Sequence, residues 1–485
     1  MVHLTEAAAS DPIGTTGSWR ELLGPRYLGT AAVLAGGVVL YATNEFLTIS
    51  LLPSTIADIG GERLYAWVTT LYLVGSVVAA AAVNSVLVRI GARSSYLLGL
   101  TVFGAGSLVC ALAPKMEILL TGRLLQGVGG GLLAGLGYAL INAVLPSALW
   151  TRASALVSAM WGVGTLVGPA VGGFFAQWGL WRWTFSALAM LTVAMAVAVS
   201  VVLPAGRDEH PGEPIRMPVR SLLILGAAAL AVSAAELPHS FIAAAGLLAF
   251  GGLLVWAFVV VDRRAPVAVL PPSIFHPGRE KWIYLTLGLL MAATKANLYV
   301  PLLGQRLAHL LPLAAGFLGA ALSIGWTVSE FVSASLNRRR VIANLVAAAP
   351  LMVAGGLAVA AVTHLGHHSP VAVAAIWALA LFTVGAGVGA AWPHLSAWAM
   401  GCVDDPAEGG TAAAAISTVQ LISGAFGAGV AGVVVNMADG GDASAARWLF
   451  AVFAVLATVG VLASSRASRG QATAAPMEAL SVPRA

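Results

Sequence analysis

The chain has 485 residues, of which 59% are hydrophobic and only 9% charged, with a mean hydropathy of +0.90. Soluble proteins carry about 25% charged residues, and no soluble domain of this length could hide so much apolar surface. The composition therefore excludes a soluble protein, and two cysteines, Cys110 and Cys402, supply neither a disulfide framework nor a metal cluster.

In chain order, residues 1–26 are polar and read as a disordered cytoplasmic segment. Apolar runs then recur, most of about 20 residues, the length that crosses a bilayer. Bounded by charge, proline or polar turns, they predict spans at 27–56, 65–87, 94–113, 117–145, 153–178, 183–204, 219–237, 240–261, 282–303, 312–335, 341–363, 371–393, 410–436 and 446–465. The first run is far longer than the core of a cleavable signal and reads as a retained helix. The pair at 219–237 and 240–261 is separated by little more than "LPHS", yet both segments would be costly to leave in water. An all-α polytopic membrane protein follows, organised as six helices over 27–204, a cytoplasmic loop at 205–218 and a two-helix insert at 219–261. A cytoplasmic connector at 262–281, six helices over 282–465 and a disordered cytoplasmic tail at 466–485 complete it.

Charge sets the orientation. With both termini in the cytoplasm, 18 of the 25 lysines and arginines fall on inner connections and 5 on outer ones. This positive-inside bias predicts a multi-pass protein of the cytoplasmic (inner) membrane. It also accounts for the net charge of +5 by topology, without nucleic-acid binding.

The fifth span carries "GTLVGPAVGG". Gly164, Gly168 and Gly172 share one helix face, where small residues let a second helix approach closely. Pro169 removes a backbone hydrogen bond inside the span, and Gly173 follows the last of the spaced glycines. Position for position this resembles the G-x-x-x-G-P-x-x-G-G motif on the fifth helix of drug:proton antiporters of the major facilitator superfamily. On span 4, "LLTGRLLQGVGGG" resembles the superfamily's l-x-x-R-x-x-q-G-x-g pattern through Arg123, Gln126, Gly127 and Gly129. On span 1, "NEFLTISLLPSTIADIG" resembles the opening helix of drug exporters, with Glu45 at the acidic position. The resemblance covers roughly residues 27–465 and points to the fourteen-helix multidrug exporter branch. It implies the major facilitator fold, two six-helix bundles with the two-helix insert between them.

One signature departs from the pattern. The loop after span 2 usually reads G-x-L-a-D-R-x-G-R-R, whose aspartate pins the inner gate. Here "NSVLVRIGAR" puts Asn84 at the first glycine and Val88 at the aspartate, keeping Arg89, Gly91 and Arg93 as the residual gating set. Either other groups close this gate or the outward-facing state is less stable.

Ionisable residues in spans are costly and tend to mark ion or substrate paths. Glu45, Arg123 and Lys295 fall at a similar depth in spans 1, 4 and 9. A glutamate whose carboxyl moves between water and a neighbouring cation changes its proton affinity, so Glu45 is the expected proton carrier and Arg123 its tuning partner. The plain alternative is a static buried pair. Gln126, Trp161, Lys295, Trp326 and Gln420 are the expected cavity linings. Glu330, near the inner end of span 10, belongs to an inner gate or a solvated edge.

No phosphate-binding G-x-x-x-x-G-K-[ST] occurs, and "HLGHH" at 364–368 reads as a polar outer loop rather than a metal site. The spans hold no convergent nucleophile, base or metal ligands of an enzyme. The resemblance implies a monomeric exporter of amphipathic compounds that uses no cofactor and draws on the proton gradient. A metabolite facilitator or symporter, or a lipid transporter of the same fold, is the alternative.

Overall fold

The computed structural model describes residues 17–61, 64–203, 217–235, 237–238, 240–363, 369–403, 405, 408–438 and 440–469. The expectations for residues 1–16, for most of the 205–218 loop, for "HLGHH" and for the tail beyond Arg469 lie outside these.

Fourteen helices stand where the hydropathy places them. They are α1 (Leu28–Ile59), α2 (Tyr65–Ala81), α3 (Val83–Ala111), α4 (Met116–Val144), α5 (Trp150–Gln177), α6 (Trp181–Val202), α7 (Val219–Ala234) and α8 (Phe241–Asp262). After them come α9 (Glu280–Thr294, continued by Lys295–Tyr299 and Val300–Leu307), α10 (Pro312–Ala334), α11 (Arg339–Thr363), α12 (Pro370–Gly401), α13 (Gly409–Asn436) and α14 (Gly441–Ser468). Among the described residues, twelve stretches are long and apolar enough to cross a bilayer, while Trp67–Ala81 and Val219–Ala234 are shorter apolar helices. The expected fourteen spans thus become twelve full-length ones plus two short ones, in α2 and α7.

Three local differences from the predicted boundaries have physical causes. The reversal expected after span 2 lies inside α3, where Gly91 takes φ 76° and ψ 170°, a region that side chains beyond glycine rarely enter. Span 9 is not one continuous helix: it tightens to a 3₁₀ turn over Lys295–Tyr299. The segment before α1 is partly ordered rather than disordered, since Ser18 caps a single turn over Trp19–Leu22 by accepting a hydrogen bond from the Glu21 amide.

Helices α1–α6 pack chiefly among themselves, through α1 on α5, α3 and α2 on α4, and α3 on α6. Helices α9–α14 do likewise, through α10 and α11 on α12, α11 on α14, and α9 on α13 and α14. The two groups meet along α5 against α10 and α12, and along α4 and α2 against α13. The insert does more than connect them, because α7 packs on both α2 and α13 and covers one side of the seam.

Hydrogen bonds across the seam gather on one face, which carries Trp19 and the end of α14. There the Trp19 indole donates to Ser335, and the Arg466 guanidinium lies over the Trp282 ring. This is called the terminal face below; the opposite one is the far face.

Candidate functional site

The fifth-span glycines position α1. A β carbon on Gly164 would sit 2.5 Å from the Ala42 β carbon, on Gly168 3.0 Å from the Thr43 carbonyl oxygen, and on Gly172 2.6 Å from that of Leu47. These distances are too short for any larger residue, so the backbones of α1 and α5 touch. Gly173 is different: a β carbon there would meet nothing within 4 Å. Pro169 is exposed and lines a cavity.

With α1 held this way, Asn44 and Glu45 point to different neighbours. Asn44 is fully buried and its side-chain oxygen accepts from Arg123 at 3.2 Å. Glu45 is half-buried, lines a second cavity and has its Oε2 shielded from solvent without a hydrogen-bond partner. Lys295 lines the same cavity, whereas Arg123 makes no hydrogen bond with the Glu45 carboxyl. The expected Glu45–Arg123 pairing is therefore indirect, because Arg123 is committed to neutral acceptors. Its Nε donates to the Val68 carbonyl at 3.2 Å, a terminal nitrogen to Gln126 Oε1 at 2.9 Å, and its guanidinium lies 4.2 Å above the Tyr72 ring centroid.

Lys295 comes to the cavity that holds Glu45 from the other helix group. It sits where α9 tightens to 3₁₀, and its stem runs along two glycines of α13. A β carbon on Gly424 would come 3.0 Å from Lys295 Cε, and one on Gly427 2.9 Å from its Cγ. Those glycines clear a groove that lays the lysine toward the cavity rather than into lipid.

Two cavities of about 380 and 360 Å³ lie in the far half of the seam and share Trp161, Met291, Lys295 and Leu298. The first lies between α5 and α10, with Trp326 on its wall. The second holds Glu45 and Gln420, and Ser233 of α7 lines it as well. Trp161 stands edge-on to Tyr41, with centroids 5.2 Å apart. Of the expected linings, Trp161, Lys295, Trp326 and Gln420 are present. Gln126 is not: it is fully buried, and its amide is spent on Arg123 and on Ser107 of α3.

The terminal half of the seam is shut. Asn84 donates to Thr411 at 2.8 Å, joining α3 to α13. Above it, Ser417 donates to the Ala134 carbonyl, Trp392 to the Tyr138 hydroxyl at 2.8 Å, and Trp326 to Ser158 at 3.1 Å. Glu330 lies in this layer, fully buried, with neither carboxyl oxygen hydrogen-bonded. The solvated edge considered for it is excluded. Of the loop residues expected to gate, Gly91 makes the turn and Arg89 is exposed. Asn84, at the departing position, makes the bond across the seam.

A family model described as Major Facilitator Superfamily matches residues 34–428. The chain belongs to this superfamily. It is 64% identical over 470 residues to a probable multidrug-efflux transporter of Mycobacterium tuberculosis, covering 96% of this chain and 98% of that protein. It is 27% identical over 435 residues to a puromycin resistance protein of Streptomyces alboniger, covering 87% of this chain and 85% of the relative. A crystal structure of a human organic anion transporter superposes with a TM-score of 0.68 at 15% identity, over 91% of this chain and all of the other. That likeness shows the shared fold.

Several residues of this superfamily site escaped the sequence reading. Asn44 stands inside the span 1 signature, beside Glu45, while Ser158, Tyr138, Trp392 and His394 lie in apolar runs with no motif around them, and only contact across helices reveals their roles. The far face also carries a tie: Asp58 pairs with Arg182 and accepts from the Trp181 indole at 3.1 Å. Arg182 also donates to the Ala113 carbonyl at 3.1 Å. These contacts join the outer ends of α1, α3 and α6 and hold the Asp58 carboxyl below its usual range, chiefly through the Arg182 hydrogen bond.

Proposed function

We propose that this protein exports amphipathic compounds across the cytoplasmic membrane in exchange for protons, by alternating access between its two helix groups. Helices within 27–204 and 282–465 form the moving bundles, and 219–261 rides on their seam. The two named bacterial relatives, a probable multidrug-efflux transporter and a puromycin resistance protein, support the export of drug-like compounds. The charge bias puts the terminal face in the cytoplasm. On that assignment the cavities open outward and the cytoplasmic gate is closed.

One observation carries the reading. Glu45 is a carboxylate on the cavity wall, with an unpaired oxygen and a lysine from the opposite bundle lining the same cavity. Because Lys295 belongs to the other bundle, rocking changes the Glu45–Lys295 separation. Arg123, fixed within the first bundle, supplies a constant field. A carboxylate loses proton affinity near a cation and gains it when desolvated alone. Glu45 thus takes up a proton in one state and releases it in the other. Trp161, Trp326 and Gln420 offer the transported compound aromatic faces and one amide, which suits an amphipathic cargo. The site lies within one chain, so a monomer suffices, and no reacting group for enzyme chemistry is required.

The test is dye efflux from proteoliposomes with and without an imposed proton gradient. Gradient-driven efflux in the wild type, and its loss in Glu45→Gln with dye binding retained, is the expected result. Unchanged efflux in Glu45→Gln rejects the assignment.

A further inference from the structure

Glu330 has no part in the coupling just described, yet its surroundings are more demanding than those of Glu45. It is fully buried, and both carboxyl oxygens lack hydrogen-bond partners. It lies four residues, about one helical turn, beyond Trp326 and therefore on the same face of α10. Trp326 lines the larger cavity, so Glu330 sits directly beneath that cavity, in the closed half of the seam.

The groups around it are neutral and belong to both bundles. Ser158 of α5 and Trp326 lie beside the carboxyl, but the Trp326 indole hydrogen is already given to Ser158. Tyr138 of α4 faces it, and its hydroxyl oxygen accepts from the Trp392 indole of α12. On α12, His394 holds its Nε2 3.1 Å from the Ser333 carbonyl. The Ser333 hydroxyl lies 3.0 Å from the same nitrogen and already donates to the Ala390 carbonyl, so both Ser333 oxygens face Nε2 as acceptors. Arg152 of α5 stands in this layer beside His394, and neither Glu330 oxygen meets a lysine or arginine donor among the described residues. A carboxylate in such a place is an uncompensated buried ion. A carboxylic acid is not, and its hydroxyl can donate to the Ser158 oxygen beside it.

We propose that Glu330 is a second proton-binding site, separate from Glu45, whose neutral form holds the cytoplasmic gate shut and whose ionisation accompanies its opening. When the bundles part on the terminal face, water enters between α5 and α10, hydrates the carboxyl and takes its proton. Reclosing requires the proton back, because the Ser158–Trp326 and Tyr138–Trp392 layer offers the anion no counter-charge. The orientation, with this gate on the cytoplasmic side, rests on the function proposed above; the link between proton and gate does not.

The experiment reads gate opening directly. Ser396 is fully buried beside Tyr138, so Ser396→Cys in a Cys402→Ser background places a thiol inside the closed gate. The full-length protein in proteoliposomes is labelled from the terminal face with a membrane-impermeant maleimide across a pH series. Each rate is divided by that of a free thiol at the same pH, because the thiolate fraction itself varies. The normalised rate should rise with pH by up to about tenfold per unit, the limit for one titrating group. Glu330→Gln should label slowly at every pH, His394→Gln should keep the wild-type profile, and Glu45→Gln should keep it while losing gradient-driven efflux. A wild-type profile in Glu330→Gln, or a profile lost in His394→Gln or Glu45→Gln, overturns the proposal. If Glu330→Gln fails to fold, Glu330→Asp decides: a displaced midpoint supports the site and an unchanged one overturns it. Absence of efflux in every variant would refute the export reading alone, since labelling does not depend on cargo.

Discussion

A glutamate stands in each half of the seam, Glu45 in one and Glu330 in the other, and the two halves treat it in opposite ways. In the far half, Glu45 is half-buried on a cavity wall, with Lys295 of the opposite bundle lining the same cavity. In the terminal half, Glu330 is sealed among tryptophan, tyrosine and serine side chains. The open half keeps its carboxyl adjustable by water and opposite charge. The closed half keeps water out with neutral hydrogen bonds, so a charge there has nothing to answer it. A rocking transporter needs both environments, and residue identity alone would not have told one glutamate from the other.

The largest expected effect on this contrast comes from removing the adjustable charge. Glu45→Gln should reduce gradient-driven efflux to the level seen with an uncoupler while leaving the protein folded. Lys295→Met should also impair coupling, whereas a static Glu45–Arg123 pair would leave it intact; proton uptake measured in detergent on cargo addition separates the two.

Next in size is the contact that positions α1. Gly168→Val forces a side chain against the Thr43 carbonyl, the Leu47 amide and the Phe46 β carbon, and overpacking of this kind costs about 1–3 kcal/mol. Thermal unfolding in detergent should show the loss, while Gly173→Ala, which meets nothing within 4 Å, should leave the midpoint unchanged. Equal effects would mean that the glycine motif serves something other than close packing.

A smaller effect is expected at the gate. Asn84→Ala removes the bond to Thr411, and a typical hydrogen bond contributes about 1 kcal/mol. The terminal gate should then open about fivefold more often, read as faster labelling of the Ser396→Cys thiol. The smallest lies on the far face, where the exposed Asp58–Arg182 pair is screened by solvent. The Asp58 carboxyl is held below its usual range in the folded protein. Its stabilising contribution is present above the unfolded value near about 4 and is lost as pH falls through the folded value. Asp58→Asn should therefore lower stability slightly at neutral pH, with the difference from wild type closing at strongly acidic pH in unfolding scans.

Much of this could be read from the chain in advance, because it depends on local periodicity and composition. Apolar run length placed all fourteen helices, the glycine spacing marked the face of α5 that meets α1, and the rarity of charge within spans drew attention to Glu45, Arg123, Lys295 and Glu330. The substitution at Asn84 was visible too, but not its consequence: its partner Thr411 is 327 positions away. Gln126 shows the opposite failure, since a polar residue in a span looks like a cavity lining until Arg123 and Ser107 are seen to consume its amide.

Sequence by itself determined the positions, order and lipid-facing character of the helices, since each follows from the cost of exposing apolar side chains or backbone groups to the wrong solvent, though not that two of the fourteen expected spans are short. Tertiary structure alone decided that Lys295 shares the Glu45 cavity while Arg123 is spent on neutral acceptors, and that Glu330 is sealed. Those outcomes depend on how each helix is rotated about its axis and on which glycines let neighbours close in. Rotation and closeness are settled by packing between segments hundreds of residues apart.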